Sequence, residues 1–519
     1  MHISLLTLTS LFPLGLAVPP LVSLPYARYR GLALDDGTTQ WLGMRYAAPP
    51  LGALRFARPA PPPKTHGVQD AKVFGNICLS QSPDDWTNEP SDRIEPGEDC
   101  LFVNVFAPSG APRARKGKRG LPVMLFIQGG GFVSNSNANY HGRELAARGI
   151  VVVSFNYRVG PFGFLGGDEE GEGRDANAGL WDQIAVMEWV RDHVGEFGGN
   201  PKHVVLNGVS AGAASIIYHL TSPLLYDTPL FIGAILESTV PAVPLRTLEQ
   251  GRPGYDCLVA ATGCTNTPSP LTCLRAANAS ALQTRTCTFN PNLDGSLIVL
   301  PSLQSFDRGH YTKIPTILGS TTNEGTIFVP PSIATLDQAH TFFSLLIPNL
   351  PPSALAILDR LFLSRPAPTF PNAGPYWRPT ANAISAIGSH CLDLHYQDAM
   401  VRDGVPTWNY HYAVRDPGDE ASGLGVYHAV ELHAVWGVRN ADGSPPESYW
   451  GVNKGVVDVV QGLWVGFVKG LEPGGRWRGF GGGGRLRIEG NGTGMEGLGG
   501  LRVVCREVEG IVRAVEFGG

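Results

Sequence analysis

A chain of 519 residues, 43% apolar and 16% charged, holds ample material for a sizeable core, which excludes a mostly disordered polymer. Its formal net charge of −5, with no basic stripe interleaved with aromatics, excludes nucleic acid as an expected partner. The 65 glycines, well above an average usage of roughly 7%, imply many loops and close backbone approaches.

Residues 1–17, MHISLLTLTSLFPLGLA, form an apolar run that ends in Gly-Leu-Ala and is stopped by Pro19 and Pro20. The run is shorter than the ~20 residues of a spanning helix and reads as a signal peptide cleaved after Ala17, with 18–519 as the mature chain. No later stretch has the length and apolarity to cross a bilayer. A secreted protein without stable membrane insertion is therefore expected. The basic run at 113–120, RARKGKRG, reads as a solvated loop between two strands. From residue 123 to 209, short apolar runs alternate with helical pattern: PVMLFI, IVVVSFNY, a helix over 180–194, then HVVLNGV. Runs apolar on both faces are what strands buried in a parallel or mixed sheet require. Within the helix, Leu180, Ile184, Met187, Val190 and Val194 recur at three and four, predicting one core-facing stripe. AILES, PTILGST and TWNYHYAV continue the strand pattern, and no repeat or linker divides the chain. The expected fold class is α/β, a single domain with a large, mostly parallel central sheet flanked by helices. Residues 466–500 are glycine-rich with weak periodicity and carry no structural expectation.

The segment HVVLNGVSAGAASIIYHL reads strand, tight turn, helix, with Gly208-Val209-Ser210-Ala211-Gly212 at the turn. A serine at such an apex needs a strained backbone and minimal flanking side chains, the setting of a nucleophile. Upstream, Gln128-Gly129-Gly130-Gly131-Phe132 follows the strand VMLFI. Attack on an ester creates an oxyanion, and the N–H groups of Gly130, Gly131 and Ala211 are candidate donors to it. In this arrangement the acid follows the serine and the base comes last. Glu324, in the glycine-flanked turn of PTILGSTTNEGTIF, is the candidate acid. His340, His390, His395, His411, His428 and His433 all satisfy the order, and spacing does not choose among them. Eight cysteines without CxxC spacing suggest disulfides, and Asn278 and Asn491 head glycosylation triplets.

Read together, LGMRYAAPPLGALRF, GEDCLFVNVFAP, GGGF, NYRVGPFGFL, AGLWDQIAVMEWVRDHVGEFGGNP, GVSAGA, the NEG turn and GVYHAVELHAVWG resemble the type-B carboxylesterases. That family includes cholinesterases and related fungal lipases, and the similarity runs from about residue 43 to 505. It implies an α/β-hydrolase fold and carboxylic ester hydrolysis by Ser210, Glu324 and His428, with no metal or cofactor. His433 then has a structural part, and Ser238 is a supporting serine behind the triad. The resemblance also implies the pairs Cys78 with Cys100, Cys264 with Cys273, and Cys391 with Cys505; by parity, Cys257 is expected to pair with Cys287. Gln128 and Val209 depart from the family, which has His or Tyr before the glycines and Glu before the serine, and so does the glycine-rich C-terminal region. Without the acid, choline esters are disfavoured; Trp86 is expected to be a loop or rim residue. The expected substrate is a small-molecule or lipid ester. A triacylglycerol lipase and a non-catalytic binding protein are the alternatives, and the oligomeric state is left open.

Overall fold

The apolar runs become the middle of an 11-stranded sheet. In chain order its strands are β1 (Leu32–Ala33), β2 (Thr38–Arg45), β3 (Phe102–Pro108), β4 (Leu121–Ile127), β5 (Val151–Phe155), β6 (Gly199–Val209), β7 (Gly233–Glu237), β8 (Thr316–Thr321), β9 (Thr407–Tyr412), β10 (Gly484–Ile488) and β11 (Gly494–Gly497). Across the sheet they lie in the order β11-β10-β9-β8-β7-β6-β4-β5-β3-β2-β1. Neighbours from β5 through β10 are parallel, and antiparallel pairs close both edges. This computed structural model describes residues 20–83, 95–111, 120–134, 137–167, 173–226, 230–239, 245–347, 350–368, 370–441 and 443–517. The expected signal segment, Trp86 and all but the last residue of the basic run lie outside the described residues.

Alternation along each strand divides the core between the two faces of the sheet. On β4, Val123, Leu125 and Ile127 join one apolar cluster while Met124 and Phe126 join the other. Both faces are covered, as a parallel sheet demands. The helix α1 (Ala178–His193) buries the expected stripe, Leu180, Ile184, Met187 and Val190, with Val194 just past its end. It buries more than that stripe. Val186 and Trp189 are also buried, and Trp189 Nε1 donates to the Tyr26 hydroxyl at 2.8 Å. Asp182, likewise buried, receives Arg158 through Nε at 2.8 Å and Nη2 at 2.7 Å. The N-terminal segment lies over this helix, and a periodicity reading cannot see such a covering layer.

Register positions the site. Gly208 on β6 stands opposite Ile127 on β4 and Leu236 on β7, and Glu237 stands opposite Gly319 on β8. The carboxyl ends of these strands are therefore level, and the loops that follow them share one edge of the sheet, the usual place for ligands in open α/β sheets. Helix α2 (Ala211–Thr221) leaves that edge directly after β6, and α3 (Cys391–Arg402) leads back to β9.

The glycine-rich stretch contains the end of α4 (Lys454–Gly470), the β10–β11 hairpin and the start of α5 (Gly499–Phe517). Leu486 and Ile488 alternate inward along β10, which pairs with β9 far upstream. The disulfide Cys391–Cys505 ties α5 to α3, and Cys78–Cys100, Cys257–Cys287 and Cys264–Cys273 complete the set, so every cysteine is paired. Among the described residues no helix is long and apolar enough to cross a membrane.

Candidate active site

Ser210 sits between β6 and α2 at φ 56° and ψ −125°, a backbone state that costs energy for any residue but glycine. Its N–H donates to the Glu237 carbonyl at 2.9 Å, which anchors the turn to β7. The flanking glycines are steric necessities. A Cβ on Gly212 would lie 2.0 Å from the Ile127 carbonyl oxygen, and one on Gly208 would lie 2.7 Å from the Gly212 carbonyl carbon. The upstream glycines approach equally closely, since a Cβ on Gly129 would stand 2.9 Å from the Ser210 Cβ.

Gly130 and Gly131 take φ values of 102° and 61°, and the Gly130 carbonyl accepts the N–H groups of Val133 and Ser134, both at 3.0 Å. Those bonds engage the Gly130 carbonyl within its own loop. Ala211, the first residue of α2, has an N–H without an acceptor inside its own helix. The three expected donors thus belong to two elements that abut Ser210.

Glu324 is buried in the turn after β8, and one of its oxygens, Oε2, lies 2.5 Å from His428 Nδ1. The other, Oε1, accepts the Thr321 N–H at 2.5 Å and the Ser238 hydroxyl at 2.7 Å. Burial alone would raise this carboxyl, but the His428 charge and the donated hydrogen bonds outweigh it and hold Glu324 below the usual glutamate range. The acid turn and the base loop are stitched together. Asn323 N–H donates to the Val426 carbonyl at 2.8 Å, and Val426 N–H returns to Asn323 Oδ1 at 3.0 Å.

His428 is 6% exposed, and the Phe328 ring packs edge-on against it with centroids 4.8 Å apart. Its Nε2 is buried and has no hydrogen-bond partner among the described residues, so the link from Ser210 to His428 is open in this geometry; such bonds commonly tighten only when substrate binds. The other candidate histidines are engaged elsewhere: His340 with Asp359 at 2.6 Å, His390 with the Thr321 carbonyl at 2.8 Å, His395 with Asp307 at 2.9 Å, His411 with Glu496 at 2.8 Å, and His433 with the Val438 carbonyl at 3.2 Å. Burial lowers the His390 and His433 imidazoles to about 4.

Two further acids behind the candidate triad were not singled out from the sequence. Glu431, fully buried, has Oε1 at 3.0 Å from the Ser238 hydroxyl and accepts the Tyr410 hydroxyl at 3.1 Å. Burial, with the neighbouring Glu324 charge, pushes it up to about 7. Glu237, also fully buried, accepts Trp464 Nε1–H at 2.5 Å; burial, then the neighbouring Glu431, pushes it up to about 8. The available signal was an acid inside an otherwise apolar run, GAILE for one and HAVELHAVW for the other.

Val209 and Gln128, the two departures beside the serine and the glycines, are both buried; Val209 packs into the second apolar cluster, so no charge stands before Ser210. Asn278 and Asn491 are exposed.

Residues 18–484 match the profile described as the carboxylesterase family. The chain is 30% identical over 488 residues to the para-nitrobenzyl esterase of Bacillus subtilis, covering 87% of this chain and 90% of that protein. Lipase 5 of Diutina rugosa is 32% identical over 375 residues, 63% of this chain and 67% of the lipase. Among solved structures, that of Aspergillus niger EstA superposes with a TM-score of 0.87 at 34% identity, covering 96% of this chain and 99% of EstA. With an α/β-hydrolase sheet and a family match over most of its length, the chain belongs to the carboxylesterase family and is a carboxylic ester hydrolase.

Proposed function

We propose a secreted carboxylesterase in which Ser210 attacks the ester carbonyl, His428 takes its proton, and Glu324 holds the imidazole tautomer and stabilises its cation. The N–H groups of Gly130, Gly131 and Ala211 receive the oxyanion. The alcohol leaves with the proton returned by His428; water then repeats the sequence on the acyl-enzyme and releases the acid. The observation that carries the reading is His428, fixed through Nδ1 by a buried carboxylate while its Nε2 has no partner among the described residues.

Replacing Ser210 with Ala should lower turnover of a p-nitrophenyl ester by roughly 10⁴ to 10⁶ and abolish labelling by a fluorophosphonate. A variant with the parent rate ends the reading. Absence of ester turnover and of fluorophosphonate labelling in the parent protein would instead select the non-catalytic binding protein. The charge-free position at Val209 supports small neutral esters over choline esters. A triacylglycerol lipase is the second reading, favoured by the similarity to Lipase 5 and by Ile327 and Phe328, which are 48% and 36% exposed beside the acid. Activation by an emulsion, absent with monomeric esters, would select it.

Secretion of residues 18–519 as one catalytic domain is supported by four disulfides, which persist in oxidising compartments, and by the exposed acceptors Asn278 and Asn491. Amino-terminal sequencing of protein from culture medium, before and after deglycosylation, tests both points.

A further inference from the structure

The backbone that carries the acid runs from Thr321, the last residue of β8, through Thr322 to Asn323. Thr321 N–H holds Glu324 Oε1 at 2.5 Å, and its carbonyl accepts His390 Nε2–H at 2.8 Å. Thr322 N–H donates to the Tyr412 carbonyl of β9 at 3.1 Å. The Thr322 hydroxyl lies 2.9 Å from His411 Nε2, and His411 Nδ1 lies 2.8 Å from Glu496 Oε1. Glu496 belongs to β11, opposite Arg485 of β10, whose Nε donates to Oε1 at 2.5 Å; Arg487 Nη1 reaches Oε2 at 3.3 Å. Glu496, with every residue of the hairpin after 484, lies beyond the family match.

Counting protons sets the direction of this chain. Burial alone would raise Glu496, but the His411 hydrogen bond and the Arg485 guanidinium outweigh it and hold Glu496 as a carboxylate, which can only accept; its 2.8 Å contact with His411 Nδ1 is shorter than the 3.2 Å approach of Arg485 Nη2 to the same nitrogen, so Nδ1 carries the hydrogen. His411 is buried, and the facing charges are Arg485, Arg487 and Glu496 on the hairpin, with His390 on the helical side and Asp393 acting on Arg485. Desolvation, together with the two arginines, outweighs Glu496 and keeps the imidazole neutral. The Nε2 of a neutral ring with its hydrogen on Nδ1 is an acceptor, so the Thr322 hydroxyl donates to it. Its alternative acceptor, the Tyr412 carbonyl, is farther away at 3.2 Å. Hydroxyl, imidazole and carboxylate therefore run from the acid turn out to the hairpin.

We propose that Glu496, His411 and Thr322 form a positioning network through which the C-terminal hairpin fixes Glu324 against His428. The inference rests on the reading of Glu324 and His428 as acid and base. Without the network, Thr322 relaxes toward its strand partner and the Thr321 N–H no longer holds Glu324 in place.

The test uses Thr322→Val, which keeps the volume and removes the hydroxyl, Thr322→Ser, which keeps the hydroxyl, and Glu496→Gln. With a p-nitrophenyl ester, Thr322→Val and Glu496→Gln should each lower kcat by about 10-fold to 100-fold, with KM within about 2-fold of the parent, as expected when the acid is misplaced. The acid limb of kcat/KM should move to lower pH, because a displaced Glu324 supports the His428 cation less. Thr322→Ser should recover the parent values, and the Val–Gln double variant should be no worse than the poorer single one. Parent kcat and pH profile in Thr322→Val and Glu496→Gln, even with a lowered Tm, overturn the proposal. Should Thr322→Val not fold, Glu496→Gln on the partly exposed hairpin decides alone. Ser210→Ala assayed alongside separates the two failures: if it is inactive while these variants match the parent, only the network is lost.

Discussion

Replacing Gly212 with Ala adds one methyl group at the point where α2 meets β4. That carbon would sit 2.0 Å from the Ile127 carbonyl oxygen, 2.8 Å from its carbon and 2.8 Å from the Gln128 oxygen. An ordinary carbon–oxygen contact is roughly 3.3 Å, so the helix and strand must separate by about 1.3 Å. Neither can yield through a side chain, because all three atoms are backbone; β4 is also hydrogen-bonded on both sides, to β5 and β6. The start of α2 must move, and with it Ser210 and the Ala211 N–H relative to Gly130 and Gly131. A displacement of about 1 Å at a reacting centre costs on the order of 100-fold in rate, and overpacking of this kind costs about 1–3 kcal/mol of stability. The assay is kcat/KM on a p-nitrophenyl ester normalised to sites titrated with a fluorophosphonate, with thermal unfolding in parallel. A Gly212→Ala protein within 2-fold of the parent rate and with unchanged Tm would refute the steric account of the turn.

Three more outcomes are expected. Glu431→Gln, assayed near pH 6, should keep kcat within about 3-fold because its amide still gives the Ser238 and Tyr410 hydroxyls a hydrogen-bond partner, whereas Glu431→Ala leaves them short of one and should cost about 1–3 kcal/mol, roughly 5-fold to 150-fold. Equal losses in both variants would contradict a protonated Glu431. Glu237 is raised in the folded protein to about 8 from the ordinary 4.5, so its stabilisation is complete below the unfolded value and is lost as pH climbs through the folded one. The Tm should therefore fall between pH 5 and pH 8, and Glu237→Gln should flatten that decline; equal slopes for parent and variant would show that Glu237 is not the group responsible. Removing Cys391 and Cys505 together opens a sequence separation of 114 residues and should cost about 2–5 kcal/mol in reversible unfolding, or half-life at fixed temperature if unfolding is irreversible. A loss under about 1 kcal/mol would mean that α5 is held by packing alone.

What could be read without coordinates was local in the chain. The strand, turn and helix around Ser210 are contiguous, and Gly208 and Gly212 are dictated by the clash that any side chain would make there, so the candidate nucleophile was legible. The buried strands announced themselves through runs apolar on both faces. The base was not legible from order and spacing, since several histidines follow the serine and differ only in what surrounds them. Family resemblance pointed to His428 as the candidate; what holds its loop against the Glu324 turn is the pair of hydrogen bonds between Asn323 and Val426, which joins segments about a hundred residues apart.

The same distinction holds for the acids and the C-terminal stretch. Glu237 and Glu431 titrate abnormally because of desolvation and a neighbouring charge, neither of which a sequence displays. The hairpin at 484–497 escaped a periodicity reading because β10 is ordered by pairing with β9, a partner distant in sequence, while its own glycines carry no pattern. Sequence alone determined which residues could perform ester chemistry and that they would ride on an α/β sheet. Tertiary structure decided which of them meet, because parallel register levels the carboxyl ends of β4, β6, β7 and β8, and only that long-range alignment brings Ser210, Ser238 and Glu324 to one edge, where the loop carrying His428 is stitched to the acid turn.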